Sequence, residues 1–251
     1  MTSLRHVAGS TISSVWRTLA GEFASRAQVL MYHSVGGHAD GDVRGIYSVS
    51  PERFTQQMTR LHFLCQEGHL KVVPFGSERP GTLSITFDDG YVDNYEVVLP
   101  ILERFGLPFH IFLNPTLIES QQEGFLSLSN VASLKNHQLV SLGLHGYSHK
   151  PLTSLSDASV LDELERGRKW FASVIGQLPS SLSYPHGAVD DRVVDLVARC
   201  HFSVAASSKF GPILKSSERL RLPRIDIWST DTKRSFDAKL RGHWDWMKWR
   251  T

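Results

Sequence analysis

The chain has 251 residues, 41% hydrophobic and 21% charged, which provides for a sizeable core and excludes bulk disorder. Its formal net charge of +2, with His neutral, is too small to point to nucleic acid. Its two cysteines, Cys65 and Cys200, exclude a disulfide framework and a thiolate metal cluster.

Residues 1–27 read as a weakly amphipathic N-terminal helical extension. Their apolar positions are broken by Ser, Thr, Arg and Glu, so no secretory signal core is present. No stretch reaches the roughly 18 apolar residues of a membrane span. A cytoplasmic address is therefore expected. QVLMYH (28–33) reads as a buried strand, followed by a Gly- and Asp-rich loop through residue 48. A helix follows, with Ser50 as N-cap, Pro51 at its first position and Gly68 as its stop. Phe54, Met58, Leu61 and Cys65 recur along it at helical spacing. TLSITF (82–87) is the second strand, and a helix is expected over 92–105, ending at Gly106. Strands are also expected at 108–114, 138–145, 180–185, 202–207 and 219–227, with helices at 156–176 and 190–200. Such alternation predicts right-handed βαβ units, and about seven parallel strands predict a closed α/β barrel rather than an open sheet. In such barrels the chemistry sits where the strands end.

Six side chains fall at those ends. His33 ends the first strand, Asp88 and Asp89 follow the second, His145 and His149 follow the fourth, and His186 follows the fifth. Two imidazoles and one carboxylate form a three-ligand metal set that leaves a position for water. A second carboxylate beside the metal can take that water's proton. Adjacent aspartates diverge along a strand, so one can ligate while its neighbour acts as base.

TFDDG (86–90), HGYSH (145–149) and SYPHG (183–187) resemble the three motifs of the polysaccharide deacetylases of the NodB-homology type, carbohydrate esterase family 4. The resemblance spans 28–228 and implies a distorted (β/α)7 barrel over that range, with 229–251 as a Trp-rich basic tail. It also implies metal-dependent removal of acetyl from an N-acetylated sugar or oligosaccharide. In that reading Asp88 is the general base. Asp89, His145 and His149 hold a divalent metal, usually zinc, with Co²⁺ or Ni²⁺ as alternatives. The main-chain N–H of His186 is the oxyanion donor, and Tyr184 and Pro185 come with it as substrate-site residues. The chain departs from the pattern twice in the third motif, with Ser183 for Arg and His186 for Tyr, and once in the second, with Gly146 for Ser or Thr. Ser183 cannot steady the base as the family's Arg does, so the orientation of Asp88 is left open. The family's C-terminal L-x-H acid is absent after residue 228. VLMYHSVG (29–36) instead resembles the opening of a circularly permuted branch that includes poly-N-acetylglucosamine deacetylases, which makes His33 the acid. Hydrolysis of another C–N bond, an O-acetyl ester substrate and a carbohydrate-binding pseudoenzyme are the competing readings. Tyr91, Tyr95 and Tyr147 lie near the motifs and either line a sugar site or pack. Arg224 approaches the mouth or pairs with Asp226. The tail HWDWMKWR either touches a membrane surface or packs on the barrel.

Overall fold

The computed structural model describes residues 23–249, so residues 1–22 of the expected helical extension lie outside the described residues. Seven parallel strands close a barrel: β1 (Ala27–Tyr32), β5 (Thr82–Phe87), β6 (Phe109–Leu113), β7 (Val140–Leu144), β8 (Ser181–Ser183), β9 (Val204–Phe210) and β10 (Leu222–Asp226). β1 closes the ring between β10 and β5, with Leu30 opposite both Ile225 and Ile85. β2 (Ser34–Val35) and β3 (Ser48–Val49) form a separate pair at the barrel mouth. β4 (Lys71–Val72) lies outside the ring, pairing with Thr82 and Leu83 while β6 pairs further along the same edge of β5. β1 and β5 are buried at every position, which is why they read as unbroken apolar runs rather than alternating ones.

Helices cover the outside. α1 (Pro51–Gln66) is capped by Ser50, whose side chain accepts from the Arg53 N–H, and it buries Phe54, Met58 and Leu61. The expected helix at 92–105 opens with a π-helical segment, Asn94–Val98, before α2 (Leu99–Phe105). Pro100 has no N–H to give the carbonyl four residues back, so a regular α-helix cannot run through it unchanged. α3 (Pro115–Glu119) and α4 (Leu128–Leu134) are short connectors. α5 (Asp157–Ile175), capped by Ser156 and stopped by Gly176 at φ 93°, and α6 (Asp191–Arg199) pack together. α7 (Lys233–Leu240), in the segment read as tail, buries Phe236 and Leu240 in the barrel's own core. Trp244 meets Trp228 edge-on at 5.7 Å, with the buried Lys239 ammonium 3.9 Å from the Trp228 ring centre. The tail thus packs on the barrel, and of its tryptophans Trp246 and Trp249 remain exposed. Among the described residues no helix is long and apolar enough to cross a membrane.

Among the described residues the barrel interior holds one histidine away from the mouth. His110 is buried between the hydroxyls of Ser141 (2.7 Å) and Ser181 (3.1 Å). Burial pushes its pKa down from 6.5 to about 3. Between those values the unfolded chain takes up a proton that the folded chain refuses. This group should therefore lower stability by about 1.4 kcal/mol per pH unit as pH falls through that window. Urea unfolding across that range should show a shallower acid slope in His110→Asn than in the wild type. An unchanged slope would show that His110 charges freely in the fold.

Candidate active site

The turn after β5 sets the first half of the site. Asp89 and Gly90 both take left-handed backbone, at φ 71° and 77°. That turn separates the two carboxylates. Asp88 faces the barrel wall, and Asp89 faces the histidines that follow β7. Among the described residues five non-glycines have positive φ, and Asp89, His149 and His186 are three of them. Such clustering of unfavourable backbone is characteristic of functional sites. Gly146 sits at φ 67°, where an added Cβ would stand 2.9 Å from the Pro185 ring. A Ser or Thr would not fit this backbone, which accounts for the departure in the second motif. Glu163 of α5 holds the same turn from outside, accepting the N–H groups of Tyr147 and Ser148 and the Ser148 hydroxyl.

Asp89 Oδ1 lies 3.2 Å from His145 Nε2 and 3.0 Å from His149 Nε2, and the three donor atoms lie within 4.8 Å of one another. His145 Nδ1 is 2.9 Å from the Ser183 carbonyl, which can only accept. That contact places the proton on Nδ1 and leaves the Nε2 lone pair facing Asp89. Asp89 Oδ1 is buried without a hydrogen-bond donor. Lone pairs converging on one point call for a cation, so this set fits a divalent metal.

Asp88 is clamped by Arg224 from β10. Nη1 donates to Oδ1 and Nη2 to Oδ2, both at 2.7 Å, and the Ser183 hydroxyl adds a bond to Oδ2 at 3.1 Å. Arg224 is itself 1% exposed, its Nε bonded to the Ser207 carbonyl. Burial works to raise the Asp88 pKa, and Arg224 with His145 overrides it, bringing it to about 2. Arg224 therefore sits in the floor of the site with its donors committed to Asp88, Ser183 and Ser207, and not with Asp226.

His33 lines the same cavity of about 400 Å³ as Asp88, Asp89, His145, His149 and His186. Its ring rests 4.6 Å from Tyr47, and its carbonyl accepts from Asn94. The His186 ring stands 4.6 Å from His149, with Nε2 3.1 Å from the His149 carbonyl. The turn bonds from Gly187 to Tyr184 and from Ala188 to Pro185 leave the His186 N–H outside them. The residues expected at a sugar site distribute differently. Tyr184 turns away from the cavity into the packing between sheet and helices, its hydroxyl bonded to the Leu220 carbonyl. Pro185 is buried beneath Gly146. Tyr91 stacks on Phe125, its hydroxyl accepting the Asp40 N–H, and so ties the Gly-rich loop to the site. Burial, with Asp89 nearby, raises its pKa strongly. Tyr95 packs on the core, and Tyr147 reaches Glu119. Sequence reading missed Tyr47, Asp40 and Asp42, which wall the cavity from the loop, and gave Ser208 no role.

Comparison with known proteins agrees with this picture. The polysaccharide deacetylase family profile matches residues 76–205. The chain is 23% identical to YxkH of Bacillus subtilis over 221 residues, 86% of this chain and 75% of that one. It is 22% identical to the poly-β-1,6-N-acetyl-D-glucosamine N-deacetylase of Staphylococcus aureus, covering 72% of this chain and 68% of that one. The fold superposes on the Streptococcus pyogenes deacetylase PplD with a TM-score of 0.74 at 20% identity, covering 86% of this chain and 98% of that one. With its motifs at the strand ends of a seven-stranded barrel, the chain belongs to the polysaccharide deacetylase family.

Proposed function

We propose that this protein is a divalent-metal-dependent N-deacetylase of an N-acetylated glycan, of the class on which the S. aureus relative acts. The observation that carries the reading is the pair of adjacent carboxylates with two different environments. Asp89 faces the Nε2 atoms of two imidazoles, and Asp88 is held ionised by Arg224. Asp89, His145 and His149 would hold the metal, which supplies Lewis-acid polarisation of the acetamido carbonyl and a more acidic water. Asp88 then acts as base. Its Oδ2 already accepts two bonds and its Oδ1 one, so Oδ1 keeps a lone pair for the proton of the attacking water. The His186 main-chain N–H donates to the carbonyl oxygen as negative charge develops there. His33 donates a proton to the departing amine.

Acetate release from an N-acetylglucosamine oligosaccharide, after chelation and re-addition of Zn²⁺, Co²⁺ or Ni²⁺, tests the activity directly. Asp89→Ala, His145→Ala and His149→Ala should each lose both bound metal and acetate release. Stoichiometric metal in any two of the three variants would overturn the ligand set.

A further inference from the structure

The cavity does not end at the histidines. Gly187 and Ser208 also line a second hollow of about 500 Å³, walled by Lys209, Arg221, Asp226 and Lys248. A third hollow continues outward with Lys209, Arg221 and Lys248 again in its wall. Three distant pieces of chain build this groove. Between the pairs Leu222–Ala206 and Arg224–Phe210, β9 advances four residues while β10 advances two, so β9 bulges. The bulge buries Ser207, which meets Arg224, and turns Ser208 and Lys209 to solvent. A Cβ on Gly187 would fall 1.7 Å from the Ser208 hydroxyl, so only glycine lets the turn after β8 pass this close. The 3-10 turn Asp245–Trp249 then brings Lys248 into the wall.

The charges of the groove are unevenly answered. Arg26 pairs with Asp245 at 2.9 Å, and Arg221 with Asp191 and Glu218 at 2.7 and 3.9 Å. Asp226 lies at the inner end, within electrostatic reach of His33. The ammonium groups of Lys209 and Lys248 have no carboxylate partner among the described residues, and Lys248 meets only the Trp249 ring. Two unanswered cations in the wall of one concavity raise its potential and attract an anion. A neutral glycan offers only hydroxyls and acetamides, which relieve neither charge.

Resting on the deacetylase reading, we propose that this groove binds an anionic group, a phosphate ester or a uronate carboxylate, carried on the glycan beside the sugar that loses its acetyl. The groove thereby selects charged N-acetylated glycans over neutral ones.

The test uses the full-length Zn²⁺-loaded protein and three trisaccharides. These are triacetylchitotriose, the same sugar with a 6-phosphate on a neighbouring residue, and the same sugar with a 6-carboxylate there. Acetate release should show a lower KM for an anionic form, by about fivefold for each lysine engaged, shrinking as salt is added. The better of the two anions identifies the source of the charge. The preference should collapse in Lys209→Ala/Lys248→Ala and invert in Lys209→Glu/Lys248→Glu. Equal KM values for all three sugars, or a preference that survives the double alanine variant, would overturn the proposal. Calorimetric binding of the same sugars separates the two readings. Anion-selective binding without acetate release would refute the deacetylase and keep the groove.

Discussion

Asp88→Asn should reduce kcat by about 10²- to 10⁴-fold, the usual worth of a positioned general base, with metal content unchanged. The amide keeps the shape of the side chain but cannot take a proton from water. It also leaves the buried Arg224 guanidinium without its counter-charge, and breaking such a pair costs about 3–5 kcal/mol. A loss of activity could then reflect a damaged fold. The double variant Asp88→Asn/Arg224→Met removes both charges and should recover much of that stability, as measured by urea unfolding, but none of the activity. Recovery of activity together with stability would make Asp88 a structural partner of Arg224 and nothing more. Arg224→Met alone supplies a pH signature. Burial favours the neutral carboxyl, and the guanidinium is what brings it to about 2. Without it the Asp88 pKa rises, the base is protonated at higher pH, and the acid limb of kcat/KM moves toward neutrality. An acid limb that stays in place would show that Asp88 is not the titrating base.

His33→Ala should have the second large effect, and an unequal one. An amine leaving a tetrahedral intermediate must be protonated, whereas an activated phenolate leaves without help. Hydrolysis of the acetamido sugar should fall by about 10²-fold or more, while hydrolysis of an activated aryl acetate should stay within about tenfold of the wild type. Metal content should not change, because His33 lies outside the Asp89, His145 and His149 set. Equal losses on amide and ester would show that His33 packs the strand end or places water, and would leave the proton donor to be sought at His186, which shares the cavity.

The π-helical start of the helix after β5 bears on the same residue. Asn94 is fully buried there, and its amide holds both the Asp93 carboxylate and the His33 carbonyl. The segment that follows Asp88 and Asp89 in sequence thus also fixes the end of β1, which lies beside β5 in the barrel. Periodicity counted this stretch as ordinary helix, because the apolar spacing of π and α turns differs too little over one turn to be read.

Local sequence was enough for the barrel and for the gathering of Asp89, His145 and His149 in one place. Parallel strands buried on both faces leave unbroken apolar runs, and helix starts at Ser50 and Ser156 carry their caps in the sequence. Each putting of Asp88, Asp89, His145 and His149 at a strand end follows from a run and the turn next to it, so a few neighbouring residues suffice. The partner of Asp88 was beyond such reading. Ser183 stands where the family's Arg would be, and Arg224 comes from 136 residues away. Only ring closure, which sets β1 between β5 and β10, brings that guanidinium to the carboxylate. Tyr184 was beyond it too. Its neighbours in the third motif suggest a site residue, but the pleat turns successive side chains to opposite faces, and its ring falls on the side covered by α6. The groove past Ser208 depends on a register mismatch between β9 and β10, which is a property of two strands paired and of neither alone. What is set by consecutive residues could be read from the chain, and what is set by which strands become neighbours required the closed barrel.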